Sequence, residues 1–190
     1  MKTIRITLTP QNSKGINTVS IDRAVKELEK YRDSLITKEE LFVKRLADIG
    51  VNAAMMILAT KGQGDASRSA NFDISFVSNG EVVNGRITIS SQPHINQDGR
   101  VFYPHLAWEF GAGNYFNLGI ANPHAKELGF GPGTFPEQSH VPEPGFWYYR
   151  DEAGDPIRSY GTQATMPMYN ASKEIILQMF AVAREVFSGQ

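Results

Sequence analysis

The stretch Tyr103 to Asn114, YPHLAWEFGAGN, constrains the fold more than any other in the chain. It sets one carboxylate, Glu109, inside an apolar and aromatic run of Leu106, Ala107, Trp108 and Phe110, and it closes on Gly111-Ala112-Gly113. Pro104 suits a first helical turn, and Gly111 supplies a left-handed residue that stops a helix. The pattern predicts one short buried helix, stopped hard, that places a loop. A carboxylate beside Trp and Phe is costly to bury unless it is hydrogen-bonded or paired. Glu109 is therefore expected to reach a backbone N–H, an arginine or the edge of the apolar patch, and this structural role outweighs a catalytic one.

At 190 residues the chain is expected to form one domain, residues 1–190, with a real core. Its net charge of −1 argues against gripping DNA or RNA as a main task, since phosphate binding needs a basic excess or stripe. The absence of cysteine excludes disulfides, thiol catalysis and cysteine zinc sites. The opening MKTIRITLTPQ lacks the apolar core of a signal peptide. The longest apolar run, Val51 to Ala59, contains Asn52 and is too short to span a membrane. These features predict a soluble protein made in a cytoplasm, with no membrane partner.

In chain order, Thr3 to Thr9 alternates as a half-buried strand. Ser20 is placed to cap an amphipathic helix that carries Ile21, Ala24, Val25, Leu28, Tyr31 and Leu35 on one face. Thr37 and Glu40 form a capping-box pattern that restarts a helix near Lys38, so either one long bent helix or two in sequence is expected. Its end, Val51 to Ala59, is apolar nearly all round and is expected to be fully buried; a partner-binding helix is the weaker alternative. Thr60 to Ser69 is a glycine-containing break. Phe72, Ile74 and Phe76, the Asn79-Gly80 turn, and Val83, Ile87 and Ile89 predict a β-hairpin with Gly85 as a bulge. Ser90 to Gly99 reads as a polar loop.

Residues 114–145 hold five of the ten prolines, with glycines and scattered aromatics. A loop this long in a compact domain is usually functional or disordered, and aromatics argue against disorder, so an extended arm that orders on a neighbour is expected. Phe146 to Arg150 and Ile157 to Tyr160 predict a second hairpin, in which Trp147, Tyr148 and Tyr149 are candidate interface residues. Met166-Pro167 opens the last helix, whose wide apolar face runs from Met168 to Phe187. The resulting expectation is an α+β fold. An N-terminal helical segment and a C-terminal helix pack on a mainly antiparallel sheet, with a long Pro/Gly-rich loop.

No catalytic, metal or cofactor constellation emerges. Gly129-Phe130-Gly131-Pro132-Gly133 lacks the Lys-Ser/Thr of a phosphate loop, and Gly111-Ala112-Gly113 lacks the dinucleotide spacing. His94, His105, His124 and His140 show no zinc-protease spacing; His105 and Glu109 can share a helix face but fall short of a ligand set. No nucleophile elbow is present. Two further classes stay open: a hydrolase with Glu109 or Asp65 as the acid, and a binding module with an aromatic groove of Phe146, Trp147, Tyr148, Tyr149 and Tyr160.

Tyr103-Pro104-His105-Leu106-Ala107-Trp108-Glu109-Phe110-Gly111-Ala112-Gly113 resembles the "Y-A-x-x-V-E-F-G-T-G" core of the neck or tail-completion (minor tail component) family of long-tailed phages and prophages. Trp147 to Gly154 resembles the segment before that family's last helix, and Gly161 to Met168 resembles its "G-x-x-A-x-P-F" entry into that helix. The resemblance implies a non-enzymatic virion part without cofactor, a ring subunit at the head–tail junction or upper tail. The implied partners are other copies of itself, about six to a ring, and other neck or tail proteins. DNA would pass through the lumen without specific binding. The implied location is the host cytoplasm during assembly, then the virion. Its implied structural or interface residues are Trp108, Glu109, Phe110, Gly111, Trp147, Tyr148, Tyr149 and Pro167.

Overall fold

A single uninterrupted helix dominates. The computed structural model describes residues 18–61, 69–95, 99, 101–113, 122–131, 146–150 and 153–188. Helix α1 runs Thr18–Lys61, 44 residues, or about 66 Å at 1.5 Å per residue. The capping-box pattern at Thr37 is not used. The Thr37 hydroxyl donates to the Asp33 carbonyl one turn back, at 3.0 Å, and the helix continues. Nothing between Asp33 and Glu40 breaks a helix, and the apolar face carries on from Leu35 to Phe42. Ser20 lies inside α1 rather than capping it.

The hairpin consists of β1 (Asn71–Ser78) and β2 (Val83–Ser90), antiparallel and in unbroken register from Asn71↔Ser90 to Ser78↔Val83. Asn79 closes the turn, its side-chain oxygen accepting from the N–H groups of Glu81 and Val82 at 3.0 and 2.8 Å. Gly85 is not a bulge. It sits opposite Phe76, and a Cβ there would fall 2.8 Å from Cγ1 of Val43, so the missing side chain is clearance for α1.

Two short pairings follow where the sequence reads as loop. β3 (His94–Ile95) pairs antiparallel with β4 (Val101–Phe102). Helix α2 (Pro104–Phe110) then leads into β5 (Ala112–Gly113). The second hairpin is β6 (Trp147–Arg150) with β7 (Pro156–Ser159), and β8 (Gly161–Thr162) returns to pair with β5. The α+β class holds, and among the described residues the antiparallel pairing is divided among four two-stranded sheets. The last helix, α3, spans Pro167–Phe187 and opens at Pro167 as the sequence predicts.

α3 lies antiparallel along the C-terminal half of α1. The Phe42 and Phe187 rings meet edge-on at 5.6 Å, Arg45 Nη1 reaches Glu185 Oε2 at 3.0 Å, and Gly50 passes close beneath Ile175. The core between them is built from Ala47, Ala54 and Leu58 of α1 with Ala171, Val182 and Val186 of α3. The segment Val51 to Ala59 is not buried all round: Met55 and Met56 are exposed, because α3 and β2 cover one side of α1. The face of α3 is divided likewise, with Ile176, Leu177 and Phe180 exposed.

The expectation of an extended arm over 114–145 fails for the part the structure describes. Residues 122–131 fold into a compact turn in which Phe130 N–H returns to the Ala125 carbonyl at 2.7 Å. Its anchors are on the same chain, as the Phe130 ring stacks on Phe110 at 3.9 Å and Ala125 is buried. A neighbour is not needed here because α2 itself offers the apolar surface. The strand expected over Thr3 to Thr9, residues 62–68, and the remainder of the arm (114–121 and 132–145) lie outside the described residues.

Gly161, with φ 107, makes the β5–β8 pairing possible. A Cβ on it would collide with the Ala112 backbone, which cannot move without opening the pair. Gly161→Ala is expected to cost about 3 kcal/mol or more, from left-handed strain and the backbone clash together. Urea unfolding checks it; a change within about 0.5 kcal/mol would contradict the close approach.

Candidate functional site

Helix α3 starts without a cap of its own. The residue before it, Met166, offers no side-chain acceptor and stands at φ 54, ψ 54, a left-handed backbone that is rare outside glycine. The first N–H groups of any helix lack partners within it. Pro167 has none to satisfy, which leaves those of Met168 and Tyr169 before the regular ladder begins with Asn170 N–H to the Met166 carbonyl at 3.0 Å.

Glu109 supplies what is missing. Its Oε2 accepts from Met168 N–H at 2.7 Å and its Oε1 from Tyr169 N–H at 3.0 Å. The side-chain amide of Asn122 donates to Oε1 at 2.7 Å. A carboxylate on one helix thus caps another in trans, where the helix dipole also favours a negative charge. The expected backbone N–H partners of Glu109 are therefore found, 59 and 60 residues away in sequence.

The main chain completes the joint. The Trp108 carbonyl, near the C-terminus of α2, accepts from Thr165 N–H at 2.8 Å, Met166 N–H at 3.0 Å and the Thr165 hydroxyl at 3.3 Å. The Asn170 side chain donates back to the Met166 carbonyl at 2.7 Å, which fixes the left-handed turn. Gly111, at φ 85, ends α2 and sends its N–H to the Ala107 carbonyl at 2.8 Å. Pro167 is fully buried in the same joint, and Trp108 is 3% exposed.

Burial pushes the Glu109 pKa above the ordinary carboxylate value, and the hydrogen bonds from Met168, Tyr169 and Asn122 oppose that rise. A raised carboxyl suits a general acid, yet each oxygen of Glu109 is already engaged by a protein donor. The arrangement is built to hold backbone in place. Burial likewise lowers the pKa of His105, whose Nδ1 lies 2.9 Å from the Ser91 hydroxyl.

Beside this joint a cleft of about 530 Å³ opens between β2, α2, the 122–131 turn and the start of α3. Ile87, Ile89, Leu106, Leu128 and Met168 give it an apolar lining, and His105, Glu109, Asn122, His124 and Tyr169 add polar groups. The His124 ring lies 5.9 Å from Tyr169, and its Nδ1 is 3.2 Å from Glu127. Among the described residues no group of three or more His, Asp or Glu is placed to hold a metal, and no helix is long and apolar enough to cross a membrane.

Of the residues singled out by sequence, Trp108, Glu109, Phe110, Gly111 and Pro167 converge on this joint. Of Trp147, Tyr148 and Tyr149 only the backbone is described. It forms β6, paired with β7 as a sheet of its own. Elsewhere on that hairpin Arg158 stacks over Phe146, 3.6 Å from the ring centroid, and reaches Tyr160 at 4.9 Å. Asp65 and His140 also lie outside the described residues. Asn122, Thr165 and Asn170 were missed by the sequence reading. One signal was available for the joint: a helix opening on Met-Pro with no capping side chain, and a lone carboxylate in an apolar run, each lack what the other provides. Comparison with protein-family models, with curated proteins and with solved structures finds no match to this chain.

Proposed function

We propose that this chain is a structural virion protein of a tailed phage or prophage, a ring-forming neck or tail-completion subunit at the head–tail junction or upper tail. The observation that carries the reading is the apolar surface left uncovered on both long helices. Ile21, Val25, Leu28 and Tyr31 of α1 are exposed, and Ile176, Leu177 and Phe180 of α3 are 65%, 72% and 76% exposed. Clusters of large exposed apolar side chains mark contacts with other proteins. The resemblance of Tyr103 to Gly113 and of Gly161 to Met168 to the neck family directs that general reading to a phage. The use to which those two segments are put also supports it, since they join helix to helix and suit a load-sharing scaffold.

On this reading the partners are other copies, about six to a ring closed by rotation, and the adjoining neck or tail proteins. DNA passes through without specific contacts, in keeping with a net charge of −1. The folded turn at 122–131 contributes nothing to this argument, because it is satisfied within its own chain. The test is a deletion in the parent phage. Accumulation of unjoined heads and tails is the expected result, and normal yields of joined particles would end the reading.

The cleft beside Glu109 favours a second reading, a binding module for a small, mostly apolar ligand with one hydrogen-bonding group. Thermal-shift screening against such compounds is its test, and the absence of any stabilising compound sets it aside.

A further inference from the structure

α3 covers only part of α1. Its last residue, Phe187, meets Phe42, so the N-terminal stretch of α1 that precedes Phe42 extends past it. This overhang carries Ile21, Val25, Leu28 and Tyr31, each 42–48% exposed. Ile21, Leu28 and Leu35 recur every seven residues, and the next step of seven is Phe42, which α3 covers. The overhang thus presents, uncovered, the continuation of the stripe that packs against α3. Ala24 and Tyr31 fill the intermediate positions, which completes two heptads of a coiled-coil seam.

The charges beside the seam select a partner and a direction. In a parallel, in-register pair of these segments, Glu27 of one helix faces Arg32 of the other, and the symmetry makes that contact twice. Within one copy Arg32 leans on its exposed neighbour Asp33 at 2.9 Å, and a guanidinium has donors to serve both. Val25 adds apolar surface at the edge of the seam. A contact of one segment with the same segment of another copy is isologous, so it closes as a two-fold pair and does not propagate around a ring. Two heptads alone are too short to form a stable helix, but here α1 is already held by its C-terminal half against α3, so the nucleation cost is met in advance.

We propose that the overhang of α1, Ile21 to Leu35, pairs in parallel and in register with the same segment of a second copy. The proposal goes beyond the ring reading and stands apart from it, since it names a contact that joins copies in pairs.

The chain has no cysteine, so single introduced thiols report without background. Leu28→Cys in the full chain is expected to give an intermolecular disulfide under mild oxidation, and Ile21→Cys to do the same with itself but not with Leu28→Cys. Wild-type protein is expected to sediment at twice the mass of Leu28→Glu, with circular dichroism unchanged because Leu28 is half exposed in the single chain. Equal masses for the two, with no self-disulfide at either position, overturn the pairing. A disulfide between Leu28→Cys and Phe180→Cys of another copy, without self-disulfides, also overturns it while leaving ring assembly standing. Normal head–tail joining in the phage deletion, with the self-disulfides present, removes the phage reading and leaves the pairing intact.

Discussion

Trp108→Ala is expected to lower the free energy of unfolding by about 3–5 kcal/mol, the range for emptying a buried aromatic site. Trp108 is 3% exposed at the C-terminal end of α2, within a run of four buried residues. The loss has two sources: apolar surface returned to water, and a void that the short helix cannot close, because Thr165 and Met166 are hydrogen-bonded to the Trp108 carbonyl. The carbonyl is retained in the alanine variant, so its bonds survive only if the backbone stays in place. Urea unfolding followed by far-UV circular dichroism measures the cost. An effect near zero would place Trp108 at the surface and dissolve the joint described above.

The second large effect is expected at Glu109. Glu109→Ala removes the acceptor for Met168 N–H, Tyr169 N–H and the Asn122 amide together, at an expected cost of about 3–5 kcal/mol. Glu109→Gln keeps the volume and one acceptor oxygen, but turns an NH₂ group toward a donor, and should cost less, about 1–2 kcal/mol. The two variants also differ from the parent in pH dependence. Burial raises the folded-state pKa of Glu109 above its ordinary value of 4.5, so the folded chain holds this proton more tightly than the unfolded one. Its contribution to stability is therefore full below about 4.5, falls as pH rises through the raised value, and is flat beyond it. His105 acts in the opposite sense. Its lowered pKa gives a contribution that is full above 6.5 and is lost as pH falls toward the folded-state value. Subtracting the Glu109→Gln profile from the parent isolates the first slope. A difference that rises with pH above 4.5 would contradict the assignment.

Much of the local structure was legible because local rules govern it. Pro104 and Gly111 bound α2, Pro167 opens α3, and the alternation from Phe72 to Ile89 around Asn79-Gly80 forms the first hairpin. The need of Glu109 for donors was legible as well, since the cost of a buried carboxylate does not depend on the fold. The identity of those donors was not, because Asn122 and the α3 N-terminus are adjacent only in space. Burial of Val51 to Ala59 was over-read for the same reason: a sequence shows which residues are apolar, not how many sides of a helix its neighbours cover. Thr37 illustrates the converse, a valid start signal overruled by a helix already propagating through it. The two-residue strands β3, β4, β5 and β8 left no signal, being too short for any period to register.

The sequence by itself determined the bounds of α2, the opening of α3 at Pro167, the two hairpins and the stranded carboxylate, because each follows from spacing, backbone chemistry or the solvation of one group. Tertiary structure alone decided that the uncapped helix and the stranded carboxylate satisfy each other. It also decided that the 122–131 turn closes on its own α2, and that α1 outruns α3 and leaves its stripe bare. Those outcomes depend on which surfaces the chain's connectivity brings within a few ångströms, and no local pattern carries that information.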